Sequence, residues 1–131
     1  MPQFRFSGYS GGEPLPVVQP TLADDEARIT PLLTAILDTG ADGTLAPFHL
    51  LQAAGFKPGR VRRDLTPSGV DRPVEIVVGF EVTVKIGSLE LPDMVVYGSR
   101  EVKEAVLGRD VLNQLVFTYD GPRRVLDLLS L

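Results

Sequence analysis

The sequence predicts a mostly β fold with one or two short helices, and three observations carry that expectation. Apolar and polar residues alternate over short runs, most clearly in Glu81-Val82-Thr83-Val84-Lys85-Ile86, the mark of a half-buried strand. Glycine (13 residues) and proline (11 residues) are spread through the chain rather than clustered, so they punctuate short elements. At 131 residues the chain suits one domain with a modest core.

The elements follow in order. Phe4 and Phe6 alternate like a short strand, and Gly8 to Pro14 is a loop. Leu15 to Leu22 is extended but broken by Pro16 and Pro20, which places it at a sheet edge. Ala23-Asp24-Asp25-Glu26 is a polar turn, and Arg28 to Leu37 is apolar and β-branched enough for a strand ending at Asp38-Thr39-Gly40. Pro47 to Ala54 reads as one short helix, with Pro47 suited to the first helical position and Gly55 to the residue past the end. Arg60 to Leu65 and Asp71 to Phe80 are strands across the Pro67-Ser68-Gly69 turn, and Gly87-Ser88 turns Glu81–Ile86 into Leu89–Tyr97. Ala105 to Leu107 is a short apolar strand, Arg109 to Leu115 has helical spacing, and Val116–Tyr119 and Val125–Leu129 close the chain as strands across Asp120-Gly121-Pro122.

Composition removes several chemistries. The formal net charge is −4, against the basic clustered footprint of a nucleic-acid binder, so no nucleic-acid partner is expected. No cysteine is present, which excludes disulfides, a thiolate nucleophile and a Cys-ligated zinc. A single histidine, His49, makes a His-based metal site within one chain improbable; no metal or cofactor is expected. The start of the chain lacks the apolar stretch of a signal peptide, and runs such as Val74 to Phe80 are far short of a bilayer span. A cytoplasmic protein with no membrane partner is the expectation.

Three motifs fail on context. Gly8-Tyr9-Ser10-Gly11-Gly12 fits the G-x-S-x-G elbow but is followed by Pro14 and Pro16 instead of a helix. Asp38-Thr39-Gly40-Ala41-Asp42-Gly43 starts like a calcium loop, yet its third and twelfth positions are Gly40 and His49. Arg60, Arg62 and Arg63 read as the solvated face of a strand.

What remains is a carboxylate at the end of an apolar strand. Asp38 follows Leu33, Ile36 and Leu37 and is expected at the edge of the core, where its charged form needs hydrogen bonds. Gly40 permits close backbone approach and Thr39 offers a hydroxyl to brace the turn. A second element, Ala105-Val106-Leu107-Gly108-Arg109-Asp110-Val111-Leu112-Asn113, sets an apolar strand before Gly-Arg-Asp and a short helix after it.

Together these two segments resemble the retropepsin-like aspartic proteases, the retroviral proteases and their stand-alone bacterial and cellular relatives. The resemblance runs from about residue 15 to 129. It implies a single domain over 1–131 with residues 1–14 as an N-terminal extension, folded as a closed acid-protease-like β barrel with one lobe per chain. It implies that Asp38 is the catalytic aspartate and that Thr39 locks two active-site loops across a dimer axis. Gly40, Ala41 and Asp42 would line the cleft and bond the substrate backbone. Arg109, beside Asp110 in the active-site support, would pair with Asp42. The hairpin tip Thr66-Pro67-Ser68-Gly69-Val70 falls where the family places its flap, although retroviral flaps are richer in glycine.

Aspartic proteolysis needs two carboxylates sharing one proton, and the chain has one Asp-Thr-Gly. The expectation is therefore a homodimeric aspartic endopeptidase acting on peptide or protein substrates, one Asp38 from each subunit activating a water. Val125–Leu129, with Phe4 and Phe6, would supply interface strands. The alternatives are a catalytically silent dimerisation or peptide-binding module of the same fold, and an unrelated β domain with a chance motif.

Overall fold

The computed structural model describes residues 3–7, 12–59, 62–65 and 75–129. Its strands are β1 (Gln3–Arg5), β2 (Val17–Val18), β3 (Thr21–Ala23), β4 (Ala35–Leu37), β5 (Thr44–Pro47), β6 (Arg62–Leu65), β7 (Glu75–Ile86), β8 (Leu89–Ser99), β9 (Ala105–Leu107), β10 (Val116–Asp120) and β11 (Val125–Leu129). Two short helices are α1 (Phe48–Ala53) and α2 (Arg109–Leu112).

The larger sheet runs β2-β4-β9-β5-β8-β7-β3, with β6 added on β7. Its two end strands, β2 and β3, are separated in sequence only by Gln19 and Pro20. The sheet must therefore curl until its rims meet, and the chain joins them; no ladder between β2 and β3 is seen among the described residues. The edge placement expected from Pro16 and Pro20 holds, since a proline cannot donate to a ladder. The result is a curled, barrel-like single lobe.

β7 and β8 form the spine, a long hairpin turned by Gly87-Ser88. Gly87 takes φ 60°, which glycine reaches without strain. Val82, Val84 and Ile86 point into the core while Glu81, Thr83 and Lys85 do not, as the alternation predicts. The register slips between Val82 and Val84, where Pro92 and Asp93 together face Thr83, and Asp93 takes φ 58°. That bulge accommodates a proline within a central strand.

The core gathers Phe80, Leu51, Ile86, Leu107, Leu126, Leu128 and a set of valines. Helix α1 is six residues long, too short to stand alone, and Leu51 with Phe48 fixes it to β8 and Phe80. Gly98 on β8 makes that packing possible, because a Cβ there would sit 3.0 Å from both aromatic rings. Burying a leucine such as Leu51 contributes roughly 1.5–3 kcal/mol.

Three local expectations change. The strand expected over Arg28 to Leu37 is only Ala35–Leu37, because the chain ahead of it is tied down otherwise. Asp24 Oδ1 accepts from Glu26 N (3.0 Å) and Arg28 N (2.8 Å), Ala27 takes φ 63°, and buried Thr30 bonds back to Leu22. Pro47 is the residue before α1, not its first helical position. Helix α2 stops at Leu112 and does not reach Leu115. In the smaller sheet β11 lies between β1 and β10. Val125, Leu126 and Asp127 are flanked on both sides, so the sheet's outer edges belong to β1, which carries Phe4, and to β10.

Candidate active site

Two parallel strands, β4 and β9, run side by side with Ala35 opposite Ala105 and Leu37 opposite Leu107. Asp38 and Gly108 are the next residue on each. The two loops that follow are tied backbone to backbone: Asp38 N donates to Leu107 O (3.0 Å) and Arg109 N donates to Ala41 O (2.8 Å). Gly108 is required at this crossing, since a Cβ there would lie 2.3 Å from Gly43 O.

A side-chain latch secures the pair. Thr44 Oγ1 donates to Asp110 Oδ1 (2.7 Å) and accepts from Gly108 N (3.1 Å). Thr44 N donates to Asp110 Oδ2 (3.2 Å), and Val111 N donates to Asp110 Oδ1 (2.8 Å). Thr44 is only 2% exposed and Asp110 is half-buried, so the Thr44 end of the latch is shielded from water and its polar groups satisfy one another.

The Asp38-Thr39-Gly40 turn lies at the surface. Gly40 N donates to Asp38 Oδ1 (2.9 Å), the local bond that makes aspartate a turn residue. A Cβ on Gly40 would crowd that oxygen at 3.1 Å. The expectation that Asp38 sits in a poorly solvated core edge is corrected: in one chain its carboxylate faces outward, because the strand ends before the loop turns away from the core.

The expected Arg109–Asp42 pair is also corrected. Arg109 Nη1 donates to Thr39 O (2.8 Å), supporting the turn's backbone, while Asp42 takes an ion pair and hydrogen bond from Arg63 on β6. The hydrogen bond from Arg63 is the main reason the Asp42 carboxyl is held below its usual range; the charges of Arg63 and Arg109 act in the same direction and burial opposes them. The same bond pushes the Arg63 guanidinium up. Arg63 is thus not the solvated bystander its basic cluster suggests.

A second anchor lies at the start of β7, where Glu75 accepts from Ser99 Oγ (2.6 Å) and Arg100 N (2.9 Å). Thr44, Arg63, Glu75 and Ser99 are all absent from the sequence-based site, because no spacing rule marks a residue that acts through tertiary contact. Thr66, Pro67, Ser68, Gly69 and Val70 lie outside the described residues, as do Gly8 to Gly11. His49 is exposed on α1. Among the described residues no group of three or more His, Cys, Asp or Glu side chains is placed to hold a metal ion.

The fold is shared with solved proteases. A retropepsin-like aspartic protease from Rickettsia conorii superposes with a TM-score of 0.58 at 16% identity, covering 97% of this chain and 90% of that one. The retroviral protease-like domain of Ddi1 from Leishmania major gives a TM-score of 0.52 at 15% identity, covering 89% and 91%. The architecture is therefore retropepsin-like. The family model for aspartyl proteases matches residues 25–111, from the turn after β3 into α2, and the chain belongs to that family. No curated protein matches the sequence.

Proposed function

We propose that the chain is a homodimeric aspartic endopeptidase in which Asp38 of each subunit contributes one half of the catalytic pair. The observation that carries this reading is the outward-facing Asp38 carboxylate at the end of a core strand, in a turn braced from below by Gly108 and Arg109. The sequence offers one such turn per chain, so a twofold axis past Asp38 would complete the pair.

Two carboxylates about 3 Å apart share one proton, since both cannot ionise. The ionised member takes a proton from a water as it attacks the scissile carbonyl carbon. The protonated member donates to the carbonyl oxygen, giving a tetrahedral diol; on collapse the proton taken from the water passes to the departing nitrogen and the other carboxylate takes a diol proton, releasing the amine and the carboxylic acid. The pair titrates as a unit. Thr39 would lock the two loops across the axis. Gly40, Ala41 and Asp42 would bond an extended peptide as an added strand, and Thr66, Pro67, Ser68, Gly69 and Val70 would contact it as a flap. The family membership and the retropepsin-like fold support this assignment.

Cleavage of a peptide library across about pH 3 to 7 tests it. The wild type is expected to cleave and Asp38→Asn to lose at least about a hundredfold in rate, the scale of a lost acid–base group. Equal cleavage by both proteins overturns the reading. Peptide binding without turnover in the wild type points instead to a silent binding module. Sedimentation at micromolar concentration is expected to show a dimer, at least with a transition-state peptide analogue bound.

A further inference from the structure

We infer that Arg63 is the positioning residue for the Asp42 carboxylate and, through it, for the stretch of cleft that holds the substrate main chain. The inference rests on the endopeptidase reading above.

Arg63 reaches from β6 to Asp42 Oδ2 across 21 positions of sequence. Its guanidinium lies over the Tyr97 ring of β8, 5.7 Å from the ring centre. A planar cation stacked on one side and bonded to a carboxylate on another is held in orientation as well as position. Gly43 leaves room for it: a Cβ there would come 2.7 Å from Arg63 Nη1 and 3.6 Å from the Tyr97 ring. The base of the bridge is firm, because Arg63 pairs with Val77 in the β6–β7 ladder and Val77 is fully buried.

The two arginines thus divide the work. Arg109 holds the Thr39 carbonyl beside Asp38, and Arg63 holds Asp42 four residues on. Asp42 would bind the substrate main chain equally in the ground and transition states, so loosening it weakens binding without slowing the bond-breaking step. Disturbing the turn at Asp38 slows that step itself. Lysine could keep the charge at position 63 but not the stacked fork.

Steady-state kinetics on the full chain separates the two roles, using a peptide that the wild type cleaves and enzyme concentrations corrected by active-site titration. Arg63→Met is expected to raise KM about three- to tenfold with kcat within about twofold, the effect of losing one oriented exposed ion pair. Arg63→Lys should recover part of that loss, and Arg109→Met should lower kcat instead. With active sites titrated, loss of folded protein would change neither kcat nor KM. An Arg63→Met variant with unchanged KM therefore overturns the inference.

Hydrogen exchange gives a readout that needs no turnover. Arg63→Met should speed exchange of the amides of residues 40–43 by about tenfold, one decade of local opening, while residues 105–112 stay protected. If the wild type cleaves nothing but exchange responds, the endopeptidase reading falls and the positioning of Asp42 stands. If the wild type cleaves and neither KM nor exchange responds, the role of Arg63 falls alone.

Discussion

Two tethers hold the loop that carries Asp38 to Gly43, and they are made of opposite materials. The tether through Thr44, Asp110 and Gly108 centres on the buried Thr44 and half-buried Asp110 and is dense in short hydrogen bonds. The tether through Arg63 and Asp42 is an ion pair with both partners substantially exposed. Buried polar networks are expensive to leave half-satisfied, whereas exposed ion pairs add little to stability because water and salt screen them. The same loop is therefore fixed to the core on one side, and held at the solvent-facing surface on the other.

Gly108→Ala attacks the buried tether at its tightest point. The added Cβ would collide with the backbone of Gly43 at 2.3 to 2.8 Å, and backbone cannot rotate away as a side chain does. Unfolding by denaturant should show a loss of at least about 3 kcal/mol. A variant within about 1 kcal/mol of wild type would show that the loops have slack.

Thr44→Val is the next largest. The valine fills the same volume but leaves Gly108 N and Asp110 Oδ1 short of a partner, at a cost of about 1–3 kcal/mol. Thr44→Ser should retain most of the stability, and equal losses in both would make the hydroxyl irrelevant.

The exposed tether shows itself in titration more than in stability. Its folded-state carboxyl is depressed, so whatever Asp42 contributes is fully present above its ordinary value of 3.8 and is lost as pH falls through the lower folded value. Arg63→Met should move the Asp42 midpoint up toward 3.8, followed by carbon-13 resonances of the side-chain carboxyl. A midpoint that stays put would mean the ion pair does not form in solution.

Local patterns disclose some elements of this chain, and distant contacts decide the others. Val82, Val84 and Ile86 announce their strand by alternation, and Asp38-Thr39-Gly40 and Gly108-Arg109-Asp110 announce their turns by residue type, because both signals are local. Strand β5 carries no such local signal, since Thr44-Leu45-Ala46-Pro47 is short and ends in a proline. Its pairing with β8 and β9 is decided far away in sequence. Arg63 and Arg109 are chemically identical, and only the fold decides which one faces Asp42. Here β6 brings the nearer guanidinium, while Arg109 is drawn to the Thr39 carbonyl.

The short stretch from Val17 to Ala23 has a consequence for how the chain assembles. It works as a clasp, with one half seated on β4 and the other on β7. The β7–β8 hairpin can form from neighbours in sequence, but the clasp engages only after residues some sixty positions apart have met, the kind of distant pairing that slows folding. The lobe should therefore acquire its spine early and its closure last. A nick at Gln19-Pro20 would leave every ladder intact while freeing the two rims from one another.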